Sequence, residues 1–251
     1  MKVAAVRTHK ITIKDQNLLD LLDAYLPPLE EQTVVAITSK IIAITQGQVF
    51  KTETVDKHAL VEGEADLFLP RGASRYDVAL TITRNIIIAN AGIDESNGNG
   101  YYVLWPRDPQ QVANTVRAHL QQRSGLTQLG VIITDSITTP LCWGVTGAAI
   151  AHSGFLAVNN FVGHPDIFGR ALNMTKVNIA NALAAAAVLV MGEADEQTPL
   201  AVLHDLPFVP FQAADPTPAE LHGLHIALED DLYAPLLKSV PWQTGRKGAQ
   251  S

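Results

Sequence analysis

Three acidic residues stand where apolar runs give way to polar loops: Asp94 shortly after Ile86–Ala89, Asp135 after Leu129–Thr134, and Glu193 after Ala182–Met191. Magnesium and manganese take oxygen ligands, and magnesium sites use one or two carboxylates, filling the rest with water and substrate phosphate. Three carboxylates brought together repel one another unless a cation neutralises them, whereas separate loop acids need no such account. The loop 90–100 has the densest chemistry, with Asp94 and Glu95, three amides (Asn90, Asn97, Asn99) and three glycines (Gly92, Gly98, Gly100). It reads either as a metal and phosphate site or as a hairpin turn, since Asn-Gly pairs favour tight turns.

A second phosphate-type signal is Thr38-Ser39-Lys40 at the exit of the β-branched run Thr33–Ile37. A lysine there suits a phosphate as a compact point charge; the alternative is that Lys40 starts a surface helix or turn. No Gly-x-x-x-x-Gly-Lys-Ser/Thr run, kinase motif set or Gly-x-Ser-x-Gly elbow is present. His152, His164 and His204 lack paired metal spacing and read first as structural or surface histidines.

Positioning these residues requires strands that end at the loops. Val3–Val6, Thr33–Ile37, Leu80–Ala89, Leu129–Thr134 and Pro199–Leu203 carry strand character, the fourth delivering Asp135 and Ser136 at its end. Helical spacing covers Asp15–Leu26, stopped by Pro27-Pro28, Gln110–Arg123, and Met174–Met191, stopped by Gly192. Residues 51–78 suggest a surface helix and loop, and the small-residue segment Gly144–Gly154 suggests close approach to another backbone. Thr217-Pro218-Ala219-Glu220 predicts a capped last helix, and the tail from Thr244 should be loose. Helices and strands intermix without regular alternation, which predicts a mixed α/β or α+β class. No linker divides residues 1–251, so one domain is expected, its subdomains not separable by sequence.

The net charge of −7, with 18 Lys and Arg and no basic stripe, argues against a nucleic-acid partner. A single cysteine, Cys142, excludes a disulfide framework and a cysteine-based zinc site. The start lacks a signal-peptide core and the longest apolar run is too short to span a bilayer, which predicts a soluble cytoplasmic protein without a membrane partner.

The segments Asn90-Ala91-Gly92-Ile93-Asp94-Glu95-Ser96-Asn97 and Val131-Ile132-Ile133-Thr134-Asp135-Ser136 resemble the coenzyme F-420-0:L-glutamate ligase family, the γ-glutamyl ligases that extend a deazaflavin cofactor. Gly144–Gly154, Gly163–Arg170 and Leu189–Glu193 extend the likeness over most of the chain. The resemblance implies the family's α+β fold as an intertwined homodimer, with GTP (or ATP) as co-substrate and Mg2+ or Mn2+ as cofactor. It implies metal ligation by Asp94, Asp135, Ser136 (where the family usually has threonine) and Glu193. Nucleotide contacts would come from Ser39, Lys40, Asn97 and the loop Gly192–Pro199, including Ala194 and Asp195. The implied reaction joins an acceptor carboxylate to L-glutamate through an acyl phosphate.

Departures from the pattern bear on the acceptor. Ala43-Ile44-Thr45-Gln46-Gly47 stands where the family carries Ser-Lys-x-Glu-Gly, and Thr138–Trp143 where it tends to place arginines. Asn181 replaces an acid, and Thr8-His9-Lys10 replaces a Gly-Leu-Pro-type segment. Fewer cations suit a phosphodiester-bearing deazaflavin less well, and a neutral, aromatic surface around Trp143 suits a folate. The competing readings are a nucleotide- or metal-binding relative without ligase activity and a metal-dependent phosphohydrolase.

Overall fold

The computed structural model describes residues 1–247. In chain order the first half contains β1 (Lys2–Val6), α1 (Leu18–Tyr25), β2 (Thr33–Thr38), α2 (Ser39–Thr45), β3 (Val49–Lys51), α3 (Lys57–Glu64), β4 (Leu67–Phe68), β5 (Leu80–Thr83), β6 (Ile86–Ala89), β7 (Tyr101–Val103) and α4 (Pro109–Ser124). The second half contains β8 (Leu129–Thr138), β9 (Val145–Ser153), β10 (Val158–Asn160), β11 (Lys176–Asn178), α5 (Ile179–Met191), β12 (Leu200–His204), α6 (Pro218–His222), α7 (Ala234–Leu237) and β13 (Gln243–Thr244).

The main sheet has the order β1-β12-β2-β8-β9, and only β2 and β8 run parallel. Both faces of its centre are covered, which explains why β2 is a continuous apolar run rather than an alternating one. The period-two geometry of a strand sends Val35 and Ile37 to one face and Val34 and Ala36 to the other. The first pair packs with Leu22 of α1, Ile42 of α2 and Val116 and Leu120 of α4. The second meets Ile179, Leu183, Ala184 and Ala187 of α5, with Phe155 beneath. The sheet is therefore a mixed α/β sandwich centre, as its sequence class predicts.

A smaller antiparallel sheet, β13-β4-β5-β6, lies beside it, and β3-β7 and β10-β11 form two ribbons. The stretch Leu80–Ala89, expected as one strand, is a hairpin: Arg84 and Asn85 both take positive φ, 50° and 62°, and turn the chain back on itself. Strand β8 does not end at Thr134. An irregularity between Ile133 and Thr134 shifts its register, and the strand continues to Thr138 with Asp135 and Ser136 inside it, opposite Ala148 and Gly147.

Gly144–Gly154 contains the edge strand β9, and the close approach expected of it occurs at Gly147. A Cβ there would lie 2.3 Å from the carbonyl oxygen of Ala184 in α5. Helix α5 begins at Ile179, five residues later than the apolar pattern suggests, because Asn178 caps it by accepting from the Asn181 N–H while Lys176–Asn178 pairs with β10. Thr217 and Glu220 form the expected capping box. Of the tail expected to be loose, Thr244 pairs with Leu67 and the amides of Gly245 and Arg246 bond Asp66 and Glu62; residues 248–251 lie outside the described residues.

Candidate functional site

The parallel pair β2 and β8 ends on the same side of the main sheet, with Thr38 level with Thr134. In open α/β sheets that carboxyl end, where the strand order reverses, is where ligands bind. Here β2 runs directly into Ser39 and Lys40 at the start of α2, and β8 carries Asp135 and Ser136 just beyond. Lys40 thus both begins a helix and reaches the acidic loop. Its Nζ lies 2.5 Å from Asp94 Oδ2 and donates to the Ser96 carbonyl at 2.8 Å.

The loop 90–100 is a hairpin connection and part of this crevice at once. Asp94 and Val103 exchange both backbone hydrogen bonds, closing the hairpin. Asn90, Ala91 and Gly92 take positive φ in succession (52°, 54° and 76°), which bends the chain sharply out of β6. For the two non-glycine residues this costs about 1–2 kcal/mol each. Thr81, on β5, holds the bend by donating to the Ile88 carbonyl and accepting from the Ala91 N–H. Asp94 then folds back on its own loop, Oδ1 accepting from the Glu95 and Ser96 amides at 2.7 and 2.9 Å and Oδ2 from the Ser96 hydroxyl at 2.6 Å. Burial raises the Asp94 pKa, but the Lys40 and Ser96 bonds outweigh it and hold the carboxyl below its usual range.

Asp135 has the opposite balance. Its Oδ1 accepts from the Ser136 N–H at 2.8 Å and its Oδ2 from the indole N–H of Trp105. Burial nevertheless pushes its pKa up to about 6, and the negative charge of Asp94 adds to the rise. Ser136 links this acid to the third one, its hydroxyl donating to Glu193 Oε1 at 2.6 Å. Glu193 follows the C-terminus of α5, and the loop after it is tied to the acidic hairpin by Asn97 Nδ2 donating to the Ala194 carbonyl at 2.8 Å.

Nine of the ten residues singled out by sequence lie on four adjoining segments: Ser39 and Lys40 at the start of α2, Asp94 and Asn97 on the hairpin loop, Asp135 and Ser136 within β8, and Gly192, Glu193 and Ala194 after α5. Ser39 is buried at the start of α2, and Asp195 is exposed with no side-chain hydrogen bond to a described residue. The acids stand as two linked groups, Lys40-Asp94-Ser96 and Asp135-Ser136-Glu193. Among the described residues no three His, Cys, Asp or Glu side chains come close enough to hold a metal ion as they stand. The donor chemistry still suits a hard divalent cation, because every candidate donor is an oxygen and Lys40 already sets a positive charge against Asp94. Beside Asn97 opens a cavity of about 290 Å³, lined by Ile11, Ile44, Val49 and Val103 with Thr12 and Lys14.

Sequence reasoning missed Trp105 and Ser96. A buried tryptophan needs a partner for its N–H, and the apolar run Val103-Leu104-Trp105 before Pro106 is the sequence signal of that burial. No helix of the described residues is long and apolar enough to cross a membrane.

Residues 6–205 match the model of the family described as F420-0:gamma-glutamyl ligase. The chain is 32% identical over 214 residues to coenzyme F420:L-glutamate ligase of Methanocaldococcus jannaschii, covering 76% of this chain and 83% of that one. It is 30% identical over 214 residues to the Methanococcus maripaludis protein of the same name, covering 79% and 85%, and 34% identical over 194 residues to that of Methanopyrus kandleri, covering 71% and 77%. With the family model matching most of its length and relatives of 30% identity or more, the chain belongs to the F420-0:gamma-glutamyl ligase family.

Proposed function

We propose that this chain is a γ-glutamyl ligase that joins an acceptor carboxylate to the amine of L-glutamate, using GTP or ATP with Mg2+ or Mn2+. The observation that carries the reading is the meeting of Lys40 at the start of α2, Asp135 and Ser136 in β8, and Asp94 and Glu193 on two loops joined by the Asn97–Ala194 bond. The acceptor carboxylate attacks the γ-phosphate, displacing the nucleoside diphosphate, and the L-glutamate amine then displaces phosphate from the acyl phosphate. Lys40 supplies a mobile cation for the phosphates once its ion pair with Asp94 opens, and Asn97 and the Ala194 backbone bind the nucleotide. Asp94, Asp135, Ser136 and Glu193 would hold a divalent cation, which when bound would offset negative charge on the phosphates. Asp135 supports this role, because burial, with a smaller contribution from the charge of Asp94, disfavours its carboxylate, and a bound cation would offset both.

The family description, which names F420-0, supports F-420-0 as acceptor, and the relatives are named for coenzyme F420. A folate is supported by the β8–β9 hairpin, whose tip exposes Leu141 and Trp143 with no charged residue between Ser136 and Val145. A homodimer is supported by further exposed apolar side chains on the adjoining segments, Ile167, Phe168, Met174 and Leu189. Purified protein incubated with GTP or ATP, L-glutamate, Mn2+ and each acceptor, followed by mass spectrometry, tests the reading; sedimentation tests the dimer. Glutamate addition to one acceptor is expected. Phosphate release without acceptor or glutamate would mark a phosphohydrolase, and nucleotide-induced stabilisation without any product would mark a relative that has lost catalysis.

A further inference from the structure

A second cavity, about 220 Å³, lies at the other end of α5 from Glu193. The α5 amides of Ile179 and Ala180 bond Ala157 at that end, and thirteen helical residues separate it from Gly192. At 1.5 Å per residue this is roughly 20 Å, so the cavity is no part of the acid crevice. Its lining includes His152, Phe155, Asn160, Lys176, Gln212 and Glu220.

His152 is the unusual member. It is only 2% exposed, yet neither of its ring nitrogens hydrogen-bonds a described residue; its ring rests on Phe155 at 5.3 Å. The other deeply buried basic side chain, Arg117, donates to Leu129, Gln212, Ala213 and Asp215. An imidazole carries one donor and one acceptor when neutral, so both ring nitrogens remain available to a ligand in the cavity. Burial drives the His152 pKa down to about 4, so the ring is neutral at physiological pH. Two charged residues line the cavity with it: Glu220, whose carboxylate bonds Thr217 and Gln212 and is felt at the ring, and Lys176 on β11.

We infer that this cavity binds a small zwitterion of the α-amino-acid class, its ammonium taken between Glu220 and the His152 ring and its carboxylate by Lys176. Glu220, whose charge reaches the neutral imidazole, attracts N–H donors and repels a lone anion, whereas Lys176 asks for the opposite charge. Neither a simple amine nor a simple carboxylate satisfies both. The volume corresponds to about seven waters at their liquid share, which suits a ligand of amino-acid size. Phe155 and Leu224 give the apolar wall such a ligand's side chain would meet.

Calorimetric titration of the full chain with L-glutamate, L-glutamine and glycine, and with methylamine and acetate as single-charge controls, tests the assignment. The amino acids should bind at least tenfold more tightly than either control. Lys176→Ala, at an exposed position, should weaken them about tenfold, and His152→Leu should abolish binding while a thermal melt confirms folding. Asp135→Asn should leave binding intact, which separates this site from any L-glutamate subsite in the crevice. No amino-acid binding, equal binding of acetate or methylamine, binding unchanged in Lys176→Ala, or loss in Asp135→Asn alone would each overturn the inference.

Discussion

The indole N–H of Trp105 donates to Oδ2 of Asp135, and it can do so because Gly92 leaves the space. A Cβ on Gly92, at φ 76°, would fall 2.2 Å from Trp105 Nε1. The outward bend of the acidic hairpin and the orientation of the β8 carboxylate are thus one packing arrangement. Trp105 touches neither acceptor nor nucleotide by this account; it positions an acid that would. Outer partners of metal ligands typically matter by about 10–100-fold. Trp105→Phe should weaken Mn2+ binding, read by electron paramagnetic resonance, by at least about tenfold, with a similar loss of activity. Gly92→Ala should give the same defect by displacing the indole. Unchanged Mn2+ affinity in Trp105→Phe would show that the bond serves packing alone.

The Lys40–Asp94 pair carries a second expectation. Asp94 retains about 45% side-chain exposure, so the pair adds little to stability, on the order of 1 kcal/mol or less after solvent screening. Because the Asp94 carboxyl is held below its unfolded value, that small contribution is present above the ordinary carboxylate range and is lost as pH falls through the folded pKa. Asp94→Asn should therefore melt within a few degrees of the parent at neutral pH. Its ligase activity should nevertheless fall by more than about a hundredfold in the mass-spectrometric assay. A variant that retained activity would remove Asp94 from the catalytic set.

His152 predicts an acid-labile fold. Its folded pKa of about 4 lies below the unfolded value of about 6.5, so the unfolded chain takes up the proton first. Stability from this group is complete above about pH 6.5 and declines as the pH drops toward 4, by up to roughly 3 kcal/mol. Asp135 works in the reverse sense, since its raised pKa makes the folded state lose stability as pH rises from the ordinary carboxylate value through about 6. The comparison should accordingly be made between the parent and His152→Leu rather than on one curve. The parent should lose more stability than the variant between pH 6.5 and 4, measured by urea titration at each pH. Parallel curves would refute the burial of an uncharged ring.

Much of this architecture is legible in the chain because burial leaves its period in the sequence. Thr33–Ile37 announces a strand covered on both faces, and Thr217 to Glu220 announces a capped helix start. The hairpin at Arg84-Asn85 is hard to read because Arg84 carries no turn signature and Asn85 alone, though it tolerates positive φ, sits inside a run of apolar and β-branched residues. The acidic loop looked divided between a turn and a site, and it is built as both, since the bonds that close the hairpin at Asp94 and Val103 also set the carboxylate toward Lys40. The persistence of β8 beyond Thr134 depends on pairing with β9, a long-range term that no local pattern around Asp135 encodes. Convergence of the three acidic loops is of the same kind. It follows from which strands are neighbours, and sequence spacing alone says nothing of that.

Asn97 offers the most direct separation of nucleotide binding from chemistry. Its φ is 54°, a left-handed conformation that asparagine tolerates and alanine resists. Alanine would therefore mix backbone strain with the loss of the Asn97–Ala194 bond. Asn97→Gly removes the side chain while accepting the backbone, so the fold should keep its stability within about 1 kcal/mol. Loss of the bond frees the loop after Glu193 from the acidic hairpin, and ordering both loops again must come out of the nucleotide's binding energy. KM for GTP or ATP should rise roughly tenfold, about 1.4 kcal/mol, with kcat at saturation nearly unchanged. A lowered kcat at constant KM would instead assign Asn97 to the reacting groups and move the nucleotide away from this edge of the crevice.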